Sequence, residues 1–420
     1  MTGVLDELRW RGLLAESTDE EALAEHLAGG PVSFYVGFDP TAPSIHFANL
    51  VQLILVRHLQ AAGHKPYLLV GGATGLIGDP KQSAERVLNP TDVVAGWVQK
   101  IHDQVARFVS FEGDNAATVV NNYDWTSQMS TIDFLRDIGK HFSVNRMLAR
   151  DVVKNRLESG ISYTEFSYVL MQSLDFLHLF REHGVTLQSG GSDQWGNITA
   201  GVELIRRSAG GKAHGVATPL LTKADGTKFG KSETGTIWLD AQLTSPYAFH
   251  QFFLSAEDSM VGTYLRIFSP RGKEEIEALE RQTTEAPHLR AAQRALADDV
   301  TDLVHGVGER QAAVAAADAL FGRGALGELP ESTLRAVAKE LNAADVAGLE
   351  GLSVASALHQ AGVVASVSAG RRAIAEGGAY VNNVKVTDGD AALGESDLLP
   401  GGYVIVRRGK RTVGAVHAAP

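Results

Sequence analysis

Cysteine is absent from all 420 residues, which excludes disulfides, thiolate metal sites and cysteine nucleophiles and is compatible with a reducing cytoplasm. A basic excess is missing as well. Lys and Arg number 38 against 49 Asp and Glu, a net charge of −11, so the molecule as a whole is no nonspecific nucleic-acid binder and any RNA site must be local. Nor is there a long apolar run. The apolar, uncharged stretch at residues 66–78 is broken by Gly71, Gly72 and Gly75 and falls short of the roughly 20 apolar residues a membrane helix requires. No membrane span is expected. The N-terminus carries Asp6, Glu7, Arg9 and Arg11 in an amphipathic pattern without an apolar signal core, which points to a cytoplasmic chain. No fixed-period repeat or long low-complexity tract is present.

A chain of this length buries a large core and divides into two or three domains. Strand-like runs at 32–38, 66–70, 117–120 and 185–188 alternate with helical patterns, which predicts an α/β, Rossmann-like parallel-sheet domain over 1–239. After Asp240 the strand patterns stop. Helical periodicity at 245–254, 257–267, 273–279 and 286–304, then a Gly- and Pro-rich stretch at 321–330, predicts an all-helical domain plus linker over 240–345. Residues 346–420 read as a small α+β module: two short helices, an extended segment at 379–386, a strand at 403–406 and the basic run Arg407-Arg408-Gly409-Lys410-Arg411.

Two segments carry most of the chemistry. His46-Phe47-Ala48-Asn49 falls where the first strand hands over to a helix, and unpaired backbone N–H groups there attract phosphate. An isolated histidine is ordinarily a capping or buried residue, but His46 follows Gly37-Phe-Asp-Pro-Thr41, in which Gly37 permits close approach of a ligand and Thr41 adds a hydroxyl. Lys228-Phe-Gly-Lys231-Ser232 follows a turn-like Ala-Asp-Gly-Thr and suits a mobile loop that closes cationic groups, with Lys223 nearby, on a leaving polyphosphate.

Between them lies Gly71-Gly-Ala-Thr-Gly-Leu-Ile-Gly-Asp-Pro80. Tight strand-to-helix turns need glycine anyway, yet this run ends in Asp79, which could hold an ammonium group. Lys81 and Arg86 beyond it are either pyrophosphate ligands or solvated surface charge. The apolar helix over 163–181 carries Tyr168, Gln172 and Asp175 at i, i+4 and i+7, a polar stripe that must face water or a polar pocket, because unpaired buried polar groups cost roughly 1–3 kcal/mol each. In Gln188-Ser-Gly-Gly-Ser-Asp193-Gln194-Trp-Gly-Asn197 the serine and aspartate are ordinary N-caps. Gln188, Gln194 and Trp195 are not explained that way.

Taken together, Tyr35 to Thr41, Gly71 to Pro80, Asn121-Asn122-Tyr-Asp-Trp125, Tyr163 to Tyr168, Gly190 to Asn197 and Lys228 to Ser232 closely resemble the bacterial tyrosyl-tRNA synthetases, class I aminoacyl-tRNA synthetases. The resemblance covers almost the whole chain. It implies a cytoplasmic tyrosine–tRNA ligase that uses ATP, with Mg2+ carried on the nucleotide, and transfers tyrosine to tRNA(Tyr). It assigns the phenol to Tyr35 and Asp175, the ammonium group to Asp79, Tyr168 and Gln172, and the rest of the tyrosine pocket to Asn122, Gln188 and Gln194. Gly37, Asp39, Ala48, Asp193 and Lys231 would bind ATP, while Thr41, His46, Asn49, Lys228, Lys231 and Ser232 would act on its phosphates.

By the same resemblance the helical region would recognise the anticodon and the C-terminal module is S4-like. Its residues 352–420 hold seven Lys or Arg against five Asp or Glu, which makes Arg371, Arg372, Lys385, Arg407 and Arg408 the expected RNA surface. A homodimer is also implied. The usual His-x-Gly-His signature here reads His46-Phe47-Ala48-Asn49, so a methyl group stands where glycine lets adenine lie against backbone. That leaves an alternative expectation: a synthetase-derived RNA-binding paralogue with weakened adenylation.

Overall fold

The computed structural model describes residues 3–80, 88–227, 229, 231–232, 235–321, 324–409 and 412–418, with Asp151, Lys231 and Ser232 described by their backbone alone. The chain forms two compact units, Met1–Asp240 with Glu257–Arg281 and Ala241–Ala256 with Gln282–Pro420.

The first unit is built on a six-stranded sheet. Its strands β1 (Glu16–Ser17), β2 (Ser33–Phe38), β3 (Lys65–Val70), β4 (Thr118–Asn121), β5 (Val185–Gly191) and β6 (His214–Thr218) lie in the order β1-β6-β5-β2-β3-β4. All but β1 run parallel. A parallel sheet covered on both faces needs strands that are apolar throughout, and Phe34, Tyr35 and Val36 of β2 and Leu68, Leu69 and Val70 of β3 are all buried. The sequence pattern missed β1 and β6, which at two and five residues are too short to show a period.

Because β2 lies between β3 and β5, the connections leave it in opposite directions. A crevice therefore opens at the carboxyl ends of these strands. Three helices border it: α1 (Phe47–Ala61) after β2, α2 (Tyr163–His183) before β5, and α3 (Trp195–Ala209) after β5. The start of α2 is fixed by Ser162, whose Oγ accepts from Glu165 N–H at 3.2 Å, and by a buried ion pair, Arg156 to Glu165 at 3.2 Å. It ends at Gly184, whose φ of 63° suits a residue without Cβ.

Beyond Asp240 come α4 (Pro246–Leu254), α5 (Asp258–Phe268), α6 (Lys273–Glu285), α7 (Ala291–His305), α8 (Val307–Leu320), α9 (Glu331–Glu340), α10 (Val354–Gln360) and α11 (Val367–Ala375). The expected boundary at 239/240 does not separate all of them from the sheet. Residues 257–281 return to the first unit, where Phe268 packs on Phe47 at 4.9 Å and the buried Arg11 donates to the carbonyls of Arg266 and Ser269 at 2.9 and 2.8 Å.

In the second unit, β9 (Ala344–Val346), β10 (Ala379–Val381), β11 (Val384–Lys385), β12 (Tyr403–Arg408) and β13 (Thr412–Ala418) form a sheet ordered β11-β10-β12-β13-β9. The β10–β11 turn places Asn382 and Asn383 at φ 45° and 68°, the left-handed pair that a two-residue hairpin requires. Leu320, Leu334 and Val337 share one apolar cluster with Tyr403, Ile405 and Ala415, so the last helices and the C-terminal sheet are packed together.

Candidate active site

At the carboxyl ends of β2 and β5 lies a cavity of about 460 Å³, lined by Tyr35, Gly37, Asp39, Thr41, His46, Ala48, Asn49, Asp79, Tyr168, Gln172, Asp175, Gln188, Asp193 and Gln194 among others. Fourteen of the residues expected from sequence thus come to one place from five segments.

One end is closed. Tyr35 and Gln188 are register partners on β2 and β5, both buried, and among the described residues neither Tyr35 Oη nor Gln188 Oε1 has a hydrogen-bond partner. Asp175 on α2 shares this end and is 2% exposed. Burial raises its pKa to about 7, against two donors that favour the carboxylate, Asn122 Nδ2 and Trp125 Nε1, each at 2.9 Å. Burial, then the Asp175 charge, pushes the Tyr35 phenol well above its usual value. Tyr35 therefore stays a neutral hydroxyl beside a carboxylate.

Asn122 is corrected by this arrangement. It is fully buried behind Asp175, donating also to Thr74 Oγ1 at 3.0 Å and accepting from Ala73 N–H at 2.7 Å, so it orients the carboxylate and does not line the cavity.

The middle of the cavity is acidic. Asp79 accepts from Gln194 Nε2 at 2.9 Å and Asn197 Nδ2 at 3.3 Å, while burial raises its pKa. Tyr168 donates its hydroxyl to Asp39 Oδ2 at 2.6 Å, and Thr74 Oγ1 donates to Asp39 Oδ1 at 2.7 Å. Asp39, expected on the nucleotide side, is thus tied to the amino-acid side as well. The glycine run has a packing reason here: a Cβ on Gly71 would collide with Asp39 and Thr74, and one on Gly75 would come within 2.7 Å of Pro40. Gly37 differs. A Cβ there would meet only Leu69, at 3.9 Å, and the space it leaves belongs to the cavity.

The open end joins the two signature segments, distant in sequence. His46 forms a bridge with Trp238, Phe47 N–H donates to Ile237 C=O at 2.9 Å, and Leu239 N–H donates to Ile45 C=O at 3.1 Å. The loop ahead of this clip contains the hairpin of β7 (Lys231–Ser232) and β8 (Gly235–Thr236), and Phe229 anchors it by stacking on Tyr264 at 4.1 Å. Lys228, with Lys81 and Arg86, lies outside the described residues, and the side chains of Lys231 and Ser232 do too. Asn49 turns back on its own helix, its Oδ1 accepting from His46 N–H at 3.3 Å, which leaves its amide donors for the cavity.

Sequence reasoning did not single out Trp125 as a partner of Asp175, nor Arg150, whose guanidinium donates to Asn197 Oδ1. Trp125 closes the run Asn121-Asn122-Tyr-Asp-Trp125 and was within reach; Arg150 carried no local signal. Of the basic residues in the second unit, Arg371, Arg372, Lys385 and Arg408 are exposed. Arg407 is a correction. Only 8% exposed, it lies over the Tyr380 ring at 4.1 Å and donates to Gly409 C=O, so its guanidinium is held inward.

Comparison with known proteins is consistent along the chain. Residues 27–322 match the family of class I tRNA synthetases for tryptophan and tyrosine, and residues 334–414 match the C-terminal domain of tyrosine–tRNA ligases. A tyrosine–tRNA ligase of Cutibacterium acnes is 64% identical over 416 residues, covering 99% of this chain and 100% of its own. That of Streptomyces coelicolor is 58% identical over 420 residues, 99% of each chain. Among solved structures, a C-terminally truncated mitochondrial tyrosyl-tRNA synthetase of Aspergillus nidulans superposes with a TM-score of 0.68 at 30% identity, over 74% of this chain and 92% of that one. These full-length ligase relatives give no support to the paralogue reading.

Proposed function

The chain belongs to the class I aminoacyl-tRNA synthetases, within the tyrosine–tRNA ligases, and from that premise we propose how its residues divide the work. The activity joins L-tyrosine to tRNA(Tyr) in an ATP-dependent reaction. The assignment of the amino-acid end rests on one observation above all: a buried, unpartnered Tyr35 hydroxyl beside a buried Asp175 carboxylate. A substrate phenol donates to Asp175 and accepts from Tyr35. Phenylalanine satisfies neither, and tyrosyl-tRNA synthetases are themselves the standard example of rejection by such unpaired groups without editing.

The substrate ammonium sits among Asp79, Tyr168 and Gln172, which points its carboxylate toward the open end. There it attacks the α-phosphate of ATP and expels pyrophosphate. Thr41, His46 and Asn49, at the N-terminus of α1, with Lys228, Lys231 and Ser232 from the loop, stabilise the charge that develops on the phosphates, and Mg2+ enters as part of the ATP substrate. Gly37 and Ala48 face the adenosine, with Asp193 and Gln194 on the ribose. A ribose hydroxyl of the terminal adenosine of the tRNA then attacks the carbonyl of the tyrosyl-adenylate, which breaks the acyl–phosphate bond and releases AMP.

Arg371, Arg372, Lys385 and Arg408 form the RNA-facing surface of the C-terminal module, helices between 240 and 345 meet the anticodon, and the enzyme acts as a cytoplasmic homodimer. No helix among the described residues is long and apolar enough to cross a membrane. Tyrosine-dependent exchange of pyrophosphate into ATP tests the site assignment. Exchange should be strong for tyrosine, weak for phenylalanine, and stripped of that preference in Asp175→Ala; unchanged discrimination would sink the pocket assignment.

A further inference from the structure

We infer that Arg150 and Asn197 form a positioning pair that fixes the acceptors for the substrate's α-ammonium group; this rests on the assignment of Asp79 and Gln172 to that group. Asn197, the third residue of α3, is 2% exposed. Its Nδ2 donates to Gln194 Oε1 at 2.9 Å, Gln172 Oε1 at 3.0 Å and Asp79 Oδ1 at 3.3 Å. One amide group thus sits among three acceptors of the site. Gln194 Nε2 closes the ring on Asp79 Oδ2 at 2.9 Å.

An asparagine amide has a donor end and an acceptor end of nearly the same shape. Turned by half a rotation, Asn197 would present its oxygen to a carboxylate and two carbonyl oxygens. Arg150 selects the productive orientation, because its guanidinium, which can only donate, occupies Asn197 Oδ1. The placement of Arg150 makes little sense as fold stabilisation. It lies against the first turn of α3, where the helix dipole disfavours a cation, and burial pulls its pKa below the usual guanidinium value. Among the described residues it has no carboxylate within ion-pair distance, and the charge that favours it is that of Asp79.

The chain makes room for it. A Cβ on Gly196 would come within 3.1 Å of Arg150 Nη2 and 3.4 Å of Nε, so Gly196 and Asn197 act together, one admitting the guanidinium and the other receiving it.

Asp79 feels donors from Gln194 and Asn197 and the charges of Arg150 and Asp39, with Tyr168 close by. Without the Arg150–Asn197 pair the Gln194 donor still favours the carboxylate, but the balance shifts toward the neutral form that burial and the Asp39 charge favour. A neutral Asp79 binds an ammonium group poorly.

The test is pyrophosphate exchange by the full-length enzyme between about pH 6 and 9. Arg150→Met and Asn197→Ala are expected to raise the tyrosine KM about tenfold, with kcat within about twofold, the loss of one charge-assisted bond to the ammonium acceptors. Their KM should begin to climb on acidification at a higher pH than in the unaltered enzyme. Arg150→Lys, which keeps the cation, should recover part of the loss. Inhibition by 3-(4-hydroxyphenyl)propionate, which retains phenol and carboxylate but has no ammonium, should change by less than about twofold. Equal weakening of tyrosine and this analogue, or an unmoved pH limb, overturns the inference and makes the pair structural. A separate variant, Asp79→Asn, guards the premise: an unchanged tyrosine KM there means that the ammonium assignment itself has failed.

Discussion

Asn122 holds Asp175 from behind, donating Nδ2 to Asp175 Oδ2 at 2.9 Å while its own Oδ1 is fixed by Ala73 N–H at 2.7 Å. The carboxylate is thereby kept as an acceptor in a place where burial alone drives it toward the neutral acid, with the balance at about pH 7. Since the ionised carboxylate accepts from a phenol far more strongly than the neutral acid does, the tyrosine KM should rise as pH falls below about 7. Asn122→Ala removes a bond that favours the carboxylate, so its KM limb should shift to higher pH. Exchange kinetics across that range measure both, and coincident limbs would exclude the role given to Asn122.

The same titration affects folding. An aspartate at about 3.9 when unfolded and about 7 when folded contributes fully below pH 4, and its contribution falls by about 1.4 kcal/mol per pH unit as pH rises to 7. Asp175→Asn abolishes this slope. The difference in unfolding free energy between the two proteins, followed by urea denaturation without substrate, should therefore move in favour of the variant between pH 4 and 7. A constant difference would place the titrating carboxyl elsewhere.

Tyr35→Phe should separate stability from recognition. The hydroxyl is buried and unpartnered in the free protein, so its removal relieves a desolvation cost of about 1–3 kcal/mol and raises the melting temperature. Tyrosine binding loses a neutral hydrogen bond, about tenfold in KM, while phenylalanine is unaffected. A variant both less stable and equally weakened for the two amino acids would mean that Tyr35 serves the core alone.

Much of this site was readable in the sequence because its residues cluster in short segments at strand ends, and the Tyr168-Gln172-Asp175 stripe followed directly from helical spacing. What escaped reading depends on long-range pairing. The adjacency of Tyr35 and Gln188 is a matter of register between β2 and β5, and the clip between His46 and Trp238 joins segments far apart in the chain. Arg407 misled for a related reason: a run of basic residues on a strand alternates between faces, so Arg408 is exposed while Arg407 turns inward onto Tyr380. The division of the helical region was hidden as well, since amphipathic periodicity tells that α5 is packed and not against what.

Ala48 is exposed within the cavity at the second position of α1. Its methyl group stands where adenine would approach the backbone, and an extra methyl in a fitted contact costs about 1–3 kcal/mol when nothing moves. Ala48→Gly is expected to lower the KM for ATP several-fold at unchanged tyrosine KM, with a loss of stability of up to about 1 kcal/mol from helix propensity. An unchanged or raised ATP KM would show that the nucleotide already clears the methyl group.

The RNA surface is better tested by substitution than by truncation. Removing residues 352–420 would take Tyr403, Ile405 and Ala415 out of the apolar cluster that buries Leu334 and Val337, and a general loss of function would follow whatever the module binds. Arg371→Ala, Arg372→Ala, Lys385→Ala and Arg408→Ala alter exposed side chains only. Each should weaken tRNA charging, raising the KM for tRNA and reducing the salt dependence of binding by about one counterion, while tyrosine-dependent pyrophosphate exchange stays constant. Arg407→Ala should behave oppositely, because it removes a buried stack on Tyr380: thermal stability falls, and the salt dependence of tRNA binding does not change. If instead Arg407→Ala reduces the salt dependence as much as Arg408→Ala does, the side chain must turn outward to the RNA, and the inward orientation is not the one that binds.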